Sequence, residues 1–168
     1  PARAQSSRVA RVALVLVEPE NPDSPFLAAF RRGLRDAGWV EGRNLTIDTQ
    51  WGGGVGESLD KAIAGAMAGR PDVLVAGSGL VVRPVINAGV TLPVVFVYSG
   101  DPVAGGVVES YARPGVNRTG VSLFSLQLMP KRIEFMKELM PGMKRLAIVV
   151  PVALALIQEG LRGVVRLP

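Results

Sequence analysis

The chain has 168 residues, of which 48% are hydrophobic, and its 19 basic and 14 acidic side chains give a formal charge of +5. It contains neither cysteine nor histidine. This excludes thiolate nucleophiles, Ser-His-Asp relays and the usual zinc and haem ligand sets, because those chemistries need sulfur or imidazole. Carboxylate, lysine, tyrosine and backbone chemistry stay open, so an enzyme is disfavoured and not disproved.

Strand and helix patterns alternate from the first apolar segment onwards. Residues 8–17 are rich in Val and Leu, which is typical of a strand buried on both faces of a parallel sheet. A polar loop follows, and then Ser24 is expected as the N-cap and Pro25 as the first residue of a helix. Its apolar residues recur at helical spacing, and Gly38 is expected to end it in the left-handed conformation.

The alternation continues to residue 150. The further predicted strands are 44–51, 72–76, 93–97, 120–123 (at an edge) and 145–150, and the further predicted helices are 57–68, 80–88, 103–112 and 127–140. Strands that alternate with helices imply right-handed βαβ units. The sequence therefore predicts an α/β fold, a doubly wound parallel sheet with residues 12–17 and 72–76 in central strands and helices on both faces.

The sequence lacks the motifs expected of a nucleotide-binding, nucleic-acid-binding or membrane-spanning protein. The loop at residues 18–23 is acidic and has no glycine, whereas a dinucleotide fold needs its glycine fingerprint directly after the first strand; there is no Walker A sequence either. The basic residues are scattered and no nucleic-acid-binding motif is present. The longest nearly unbroken apolar stretch is too short to span a bilayer. We expect no cofactor, no metal and no nucleic-acid partner.

Ligands of open parallel sheets bind at the carboxyl ends of the strands, where this chain places hydroxyl groups and one carboxylate. Ser24 and Ser78 stand at predicted helix N-termini, which favour a small anion such as a carboxylate. The alternative for each serine is plain N-capping. Asp101 lies just beyond the strand 93–97 and is placed to accept hydrogen bonds from an ammonium group, or else to cap an Asp-Pro turn.

Three aromatic residues stand at or near the predicted strand ends: Trp51, Tyr98 and Phe124. They are candidates for lining the side-chain pocket of a ligand. The alternative is that they belong to the core, as aromatic residues at strand ends commonly do.

Several motifs in order resemble a known family. They are Ser-Pro-Phe at 24–26, Gly-Trp-Val-Glu-Gly-Arg-Asn-Leu at 38–45, Val-Val-Phe at 94–96, Gly-Asp-Pro-Val at 100–103, Ala-Arg-Pro-Gly-Val-Asn-Arg-Thr-Gly-Val-Ser at 112–122, and the segment from Lys-Arg at 131–132 to Met-Pro-Gly at 140–142. Together, from about residue 9 to residue 150, they closely resemble the ABC-transporter substrate-binding proteins of the family that includes tryptophan and tyrosine binders. Single motifs are unspecific, but the combination of Gly-Trp-Val-Glu-Gly, Gly-Asp-Pro and Ala-Arg-Pro-Gly-x-Asn-x-Thr-Gly is quite specific.

This resemblance implies an exported receptor, periplasmic or associated with the outside of the membrane, of the type I periplasmic binding protein fold. Two Rossmann-like lobes would close on an amino acid or a related small solute and deliver it to an ABC permease. By position, Ser24, Ser78 and Asp101 are the leading ligand contacts. Asn117 and Thr119 are expected to brace the crossover between the lobes.

The chain departs from the family in length, since family members are roughly twice as long. We expect residues 1–7 to be a signal-peptide remnant and leader, because Ala-Arg-Ala at 2–4 fits a signal-peptidase site; a disordered tail is the alternative. Residues 8–125 are expected to form the N-terminal ligand-binding lobe. Residues 126–168 are expected to form the crossover and a truncated start of a second lobe that is largely missing, with apolar faces that favour a homodimer.

Two other functions stay open at this point. One is the effector-sensing domain of a transcription regulator, and the other is a small α/β enzyme. A regulator should carry a helix-turn-helix before the first strand, and residues 1–7 leave no room for one in this sequence. The solute receptor is the main hypothesis.

Overall fold

The computed structural model describes residues 8–115, 117–125 and 127–147, which form an alternating series of strands and helices. In chain order these are β1 (Ala10–Leu16), α1 (Pro25–Asp36), β2 (Leu45–Trp51), α2 (Glu57–Ala68), β3 (Val73–Ala76), α3 (Gly79–Asn87), β4 (Val94–Tyr98), β5 (Arg118–Ser122) and α4 (Met129–Leu139). The predicted leader, and most of the segment after α4, lie outside the described residues.

The sheet is parallel throughout and has the strand order β2-β1-β3-β4-β5. β1 and β3 are both internal, which confirms the prediction that 12–17 and 72–76 are central. β5 is an edge strand of this sheet, also as predicted. The two halves of the sheet run outward in opposite directions from β1 and β3, which is the doubly wound arrangement.

Side chains of β1 alternate between two apolar clusters, one on each face of the sheet. Ala13 and Val15 are fully buried in the cluster that α2 and α3 cover. Leu14 and Leu16 are buried in the other cluster together with Leu27 of α1. This burial on both faces is why β1 shows an almost continuous apolar run and not a period of two. The predicted α/β doubly wound fold is confirmed.

Glycine ends α1 and shapes one strand end. Gly38 follows the last turn of α1 with a φ of +87°, a left-handed conformation that costs glycine little, so this part of the prediction is also confirmed. After β3, a Cβ atom on Gly77 would collide with the side chain of Leu16 and lie 3.1 Å from the carbonyl oxygen of Val15. Glycine therefore lets the end of β3 pass close to the end of β1.

The predicted helix at 103–112 is wrong, because this segment consists of turns. The carboxylate of Asp101 accepts the amide N–H groups of Val103 and Ala104, and Gly106 has a φ of +64°. A helix cannot continue through that geometry. The apolar residues that suggested a helix include Val107 and Val108, which pack into the core from an irregular segment.

The region after β5 is the least covered part of the described chain. α4 buries Ile133, whereas Leu139 is 81% exposed and Phe135 is 52% exposed. Of the predicted strand at 145–150, residues 145–147 have no regular structure and residues 148–150 lie outside the described residues. No described helix combines the length and the apolar character that crossing a membrane requires.

Candidate functional site

The carboxyl ends of the five strands meet at one edge of the sheet, because all strands are parallel. Backbone hydrogen bonds tie the connecting loops to one another there. The N–H of Gly52 donates to the carbonyl of Leu16 at 2.7 Å, and the N–H of Leu123 donates to the carbonyl of Tyr98 at 2.8 Å. We call this edge, with its loops after β1 to β5, the carboxyl rim.

Ser78 has the most unusual environment on the carboxyl rim. It is the N-cap of α3 in an extended conformation, but its side chain makes no capping hydrogen bond. The hydroxyl oxygen is buried and has no hydrogen-bond partner among the described residues. Burying a hydroxyl without a partner costs free energy. The first turn of α3 also contains no acidic residue, and the positive end of the helix dipole favours an anion at such a position.

Ser24 occupies the equivalent position after β1. It is the N-cap of α1, its side chain makes no capping hydrogen bond, and the first turn of α1 contains no acidic residue. Its backbone carbonyl accepts the N–H of Ala28 at 3.0 Å, so the main chain alone starts the helix. Neither serine hydroxyl therefore does the capping that was the alternative to a ligand contact. Their role in ligand binding stays a prediction.

Asp101 follows β4 and uses one carboxylate oxygen to hold its own turn. Oδ1 accepts the N–H of Val103 at 2.8 Å, the N–H of Ala104 at 3.1 Å and the hydroxyl of Tyr111 at 2.6 Å. The Tyr111 hydroxyl is the largest cause that lowers the pKa of Asp101, followed by the N–H of Ala104, and the N–H of Val103 adds to this against the opposing effect of burial. Asp101 is therefore a carboxylate at neutral pH. Asp101 therefore stabilises its own turn and also places a negative charge at the carboxyl rim.

Tyr111 is a residue that the sequence analysis did not select. Its hydroxyl bond to Asp101 raises the pKa of the Tyr111 phenol, and its ring lies 6.0 Å from that of Phe124, centroid to centroid. Both rings line a cavity of about 230 Å³ beside β5. Residues 103–112 were predicted as a helix, and a helix at these residues gives no reason to expect Tyr111 next to Asp101.

The three aromatic residues proposed for one pocket lie in three different places. Trp51 packs against the cluster under α1, with Leu16 and Leu27. Tyr98 packs against the cluster on the opposite face, where its ring would lie 3.2 Å from a Cβ atom added to Gly79. Phe124 alone of the three lies beside Tyr111. Trp51, Tyr98 and Phe124 thus have different packing partners among the described residues, and their role in lining a ligand pocket stays a prediction.

Asn117 braces the sheet from its other end. Its side-chain amide donates to the carbonyl of Val90 at 3.2 Å and also to that of Leu92, and its backbone carbonyl accepts the N–H of Val94 at 2.9 Å. These bonds join the start of β5 to the loop before β4. Bracing of a crossover between lobes by Asn117 stays a prediction.

The described residues contain no cluster of three or more acidic side chains placed to hold a metal ion. The loop after β1 carries exposed Glu18, Glu20 and Asp23, and this charge lies close to the start of α1. An anionic ligand would therefore meet less repulsion at α3 than at α1. The rim as described has a helix start without acidic residues after β3 and a carboxylate after β4, and β3 and β4 are neighbours.

Comparison with known proteins gives one family match. Residues 15–155 match the family described as ABC transporter substrate binding protein. A tyrosine-binding protein of Clostridioides difficile (strain R20291) is 27% identical over 120 residues, which cover 71% of this chain and 34% of that protein.

Three solved structures have a similar fold. A conserved domain protein from Vibrio cholerae is 29% identical with a TM-score of 0.68, covering 80% of this chain and 45% of its own. The ligand-free, open form of a substrate binding protein with adhesive properties from Clostridium difficile is 25% identical with a TM-score of 0.57, covering 72% and 43%. A Streptococcus protein in complex with L-Trp is 21% identical with a TM-score of 0.63, covering 79% and 44%, and shows the fold alone. The chain thus spans between a third and a half of the length of these relatives.

Proposed function

This chain belongs to the ABC transporter substrate binding proteins, and from that premise we propose that it forms the ligand-binding lobe of an exported receptor for an amino-acid-like solute. The observation that carries the proposal is the pairing of two opposite binding features on neighbouring strands. The buried, unpartnered hydroxyl of Ser78 lies at the start of α3 after β3. The carboxylate of Asp101 lies after β4.

A zwitterion fits this pairing. Its carboxylate would meet the N–H groups at the start of α3 and the Ser78 hydroxyl, which supplies the partner that this hydroxyl lacks in the described residues. Its ammonium group would meet the charge of Asp101, whose Oδ1 is already shared by three donors, so the approach is to Oδ2. Ser24, on the loop after β1, is proposed as a further contact. Phe124 and Tyr98 are proposed to border the side-chain space.

The rest of the receptor is proposed from family membership. Half a cleft on this lobe would be completed by a second lobe, since the matched relatives are more than twice as long as their matched parts. The partner would be an ABC permease, and the location would be periplasmic or on the outer side of the membrane. The exposed apolar residues of α4 support the proposal of a homodimer through the segment after residue 125, which light scattering tests directly.

A receptor is favoured over the two alternatives. The tyrosine-binding relative and the adhesive relative are both named as binding proteins, and the family match covers residues 15–155. We therefore propose that the protein acts without catalysis, and we set aside an effector-sensing domain of a transcription regulator and a small α/β enzyme.

Calorimetry on an Asp101→Asn variant tests the proposal, with L-tyrosine and L-tryptophan as ligands. Asparagine keeps an Oδ1 that accepts from Val103, Ala104 and Tyr111, so the turn is retained and the charge is removed. Loss of a charge-assisted bond to the ammonium group should weaken binding about 10- to 100-fold.

The matched control is Asp36→Asn, at the exposed end of α1, which removes the same charge far from the rim. It should leave the affinity unchanged. Equal affinity of the Asp101→Asn variant and the unmodified protein would show that Asp101 stabilises the turn and does not bind the ligand. Failure of the unmodified protein to bind any amino acid would contradict the proposed function.

A further inference from the structure

Arginine residues that are scattered along the sequence gather at one edge of the sheet in the structure. Because all five strands are parallel, their first residues lie at the edge opposite to the carboxyl rim. We call the part of this edge formed by residues 8–11, 35–44 and 70–73 the amino edge. It holds the starts of β2, β1 and β3, which are neighbours in that order, and neighbouring strands lie about 4.8 Å apart. Its arginines are Arg8, Arg11, Arg35, Arg43 and Arg70.

Two of the three acidic side chains on the amino edge are already paired. Asp72 accepts from the guanidinium group of Arg8 at 2.6 Å, and Glu41 accepts from that of Arg31 at 3.0 Å. Asp36 is the third acidic residue. Four exposed arginines of the edge form no ion pair with an acidic side chain of the described residues: Arg11, Arg35, Arg43 and Arg70. The amino edge therefore carries an excess of positive charge.

Helix dipoles explain only part of this charge. Arg35 lies in the last turn of α1 and Arg70 follows the end of α2, where the negative end of a helix dipole favours a cation. Arg11 lies within β1 and Arg43 precedes β2, so the same reason does not apply to them. Arg70 also has a φ of +49°, a left-handed conformation that costs a residue with a side chain some free energy.

Two apolar side chains are exposed on the same edge. Trp39 is 40% exposed and Val9 is 43% exposed. The backbone N–H of Trp39 donates to the carbonyl of Leu34 at 2.8 Å, which ties this loop to the end of α1. Tryptophan is enriched where membrane and water meet, because its ring is apolar and its indole N–H is polar. Arginine combined with exposed tryptophan is typical of surfaces that lie on a membrane.

The carboxyl rim has the opposite charge. Its loop after β1 and the start of α2 carry five exposed acidic side chains: Glu18, Glu20, Asp23, Glu57 and Asp60. The two edges are about 20 Å apart, which is the length of β1. A negatively charged surface therefore attracts the amino edge and repels the carboxyl rim, so that the charge distribution orients the protein.

We propose that the amino edge binds the phosphate groups of an anionic phospholipid membrane, with Trp39 among the headgroups and the carboxyl rim directed away from the bilayer. Arginine suits this partner because its planar guanidinium group pairs with phosphate oxygens. Trp39 and Val9 favour a membrane over nucleic acid, since apolar side chains gain there from the boundary with the acyl chains. This inference goes beyond the proposed function, because the proposed solute site lies at the other edge. Only the choice of a membrane as the partner uses the proposed location.

Cosedimentation with phosphatidylcholine vesicles, with and without phosphatidylglycerol, tests the proposal without any amino acid present. We expect binding to the anionic vesicles alone, and weaker binding as salt is added. Replacing Arg11, Arg43 and Arg70 together by glutamine should weaken it about 5-fold per arginine, on the order of 100-fold in all. The matched control replaces three exposed basic residues of α4 and the segment after it by glutamine, which removes the same net charge: Arg132, Lys137 and Lys144.

Tryptophan fluorescence supplies a second measurement that does not depend on the arginine variants. The protein has two tryptophans, and Trp51 packs against the core. Anionic vesicles should shift the emission of the unmodified protein to shorter wavelength, and Trp39→Phe should abolish that shift. The triple arginine variant should keep the amino-acid affinity of the unmodified protein, so a failure of either proposal is seen separately.

Several results would overturn the assignment. They are equal losses in the two triple variants, equal binding to vesicles with and without phosphatidylglycerol, and an emission shift that persists in Trp39→Phe. Tighter binding of double-stranded DNA than of anionic vesicles at the same ionic strength would assign the amino edge to nucleic acid and overturn the choice of a membrane.

Discussion

Replacing Ser78 by alanine should affect stability and binding in opposite directions. The hydroxyl of Ser78 is buried without a partner and makes no capping bond to α3, so its removal forfeits none of the ~0.5–2 kcal/mol that a capping serine usually contributes. It relieves instead a desolvation cost on the order of 1 kcal/mol. We expect the free energy of unfolding without ligand to rise by about that amount, which corresponds to roughly 2–4 °C in Tm for a chain of this size.

With an amino-acid ligand the same variant should bind about 10- to 100-fold more weakly, because a hydrogen bond to the ligand carboxylate is lost. Chemical denaturation and calorimetry measure the two effects. Ser110→Ala is the matched control for stability, since that hydroxyl donates to the carbonyl of Arg113 at 2.9 Å and accepts its N–H at 3.0 Å. It should lower the free energy of unfolding. A similar loss in Ser78→Ala, or unaltered ligand affinity, would refute the reasoning.

Two further predictions concern the core and the charge on the rim. Leu14→Ala should lower the free energy of unfolding by about 2–5 kcal/mol, because this side chain is fully buried under α1; a denaturation midpoint equal to that of the unmodified protein would contradict this. Asp101 has a lowered pKa, so it contributes stability above its unfolded pKa of ~3.9 that is lost as pH falls through the lower folded value. Tyr111→Phe removes the hydroxyl that is the largest cause of the lowered Asp101 pKa. NMR titration of this variant should show a higher Asp101 pKa, and the variant should lose less stability on acidification. An unchanged Asp101 pKa would contradict the hydrogen bond between Tyr111 and Asp101.

Most of the fold could be predicted because each element has a local physical signal. The run in β1 reflects burial on two faces, and the bounds of α2, Glu57–Ala68, follow the predicted helix at 57–68. The segment after β4 lacks such a signal. Val107 and Val108 are buried by tertiary packing, and the turn depends on which amides the carboxylate of Asp101 reaches.

The candidate site was predictable only in part for a related reason. The predicted strand directions and helix N-termini put Ser24 and Ser78 on the carboxyl rim. The parallel sheet and the starts of α1 and α3 confirm that location. The pairing of Asp101 with Tyr111, ten residues apart in a segment without regular structure, depends on turn geometry that no periodicity encodes. For the same reason, the sequence did not predict that Trp51, Tyr98 and Phe124 pack against different parts of the protein.

Calorimetric titration with a matched series of ligands tests the central claim most directly. The series is L-tryptophan, tryptamine, which lacks the carboxylate, and N-acetyl-L-tryptophan, which lacks the ammonium charge. A site made of the start of α3 and the carboxylate of Asp101 requires both charges, so we expect binding of tryptophan and losses of about 10-fold or more for each analogue. Equal binding of all three, or binding of an uncharged sugar in place of tryptophan, would contradict the account.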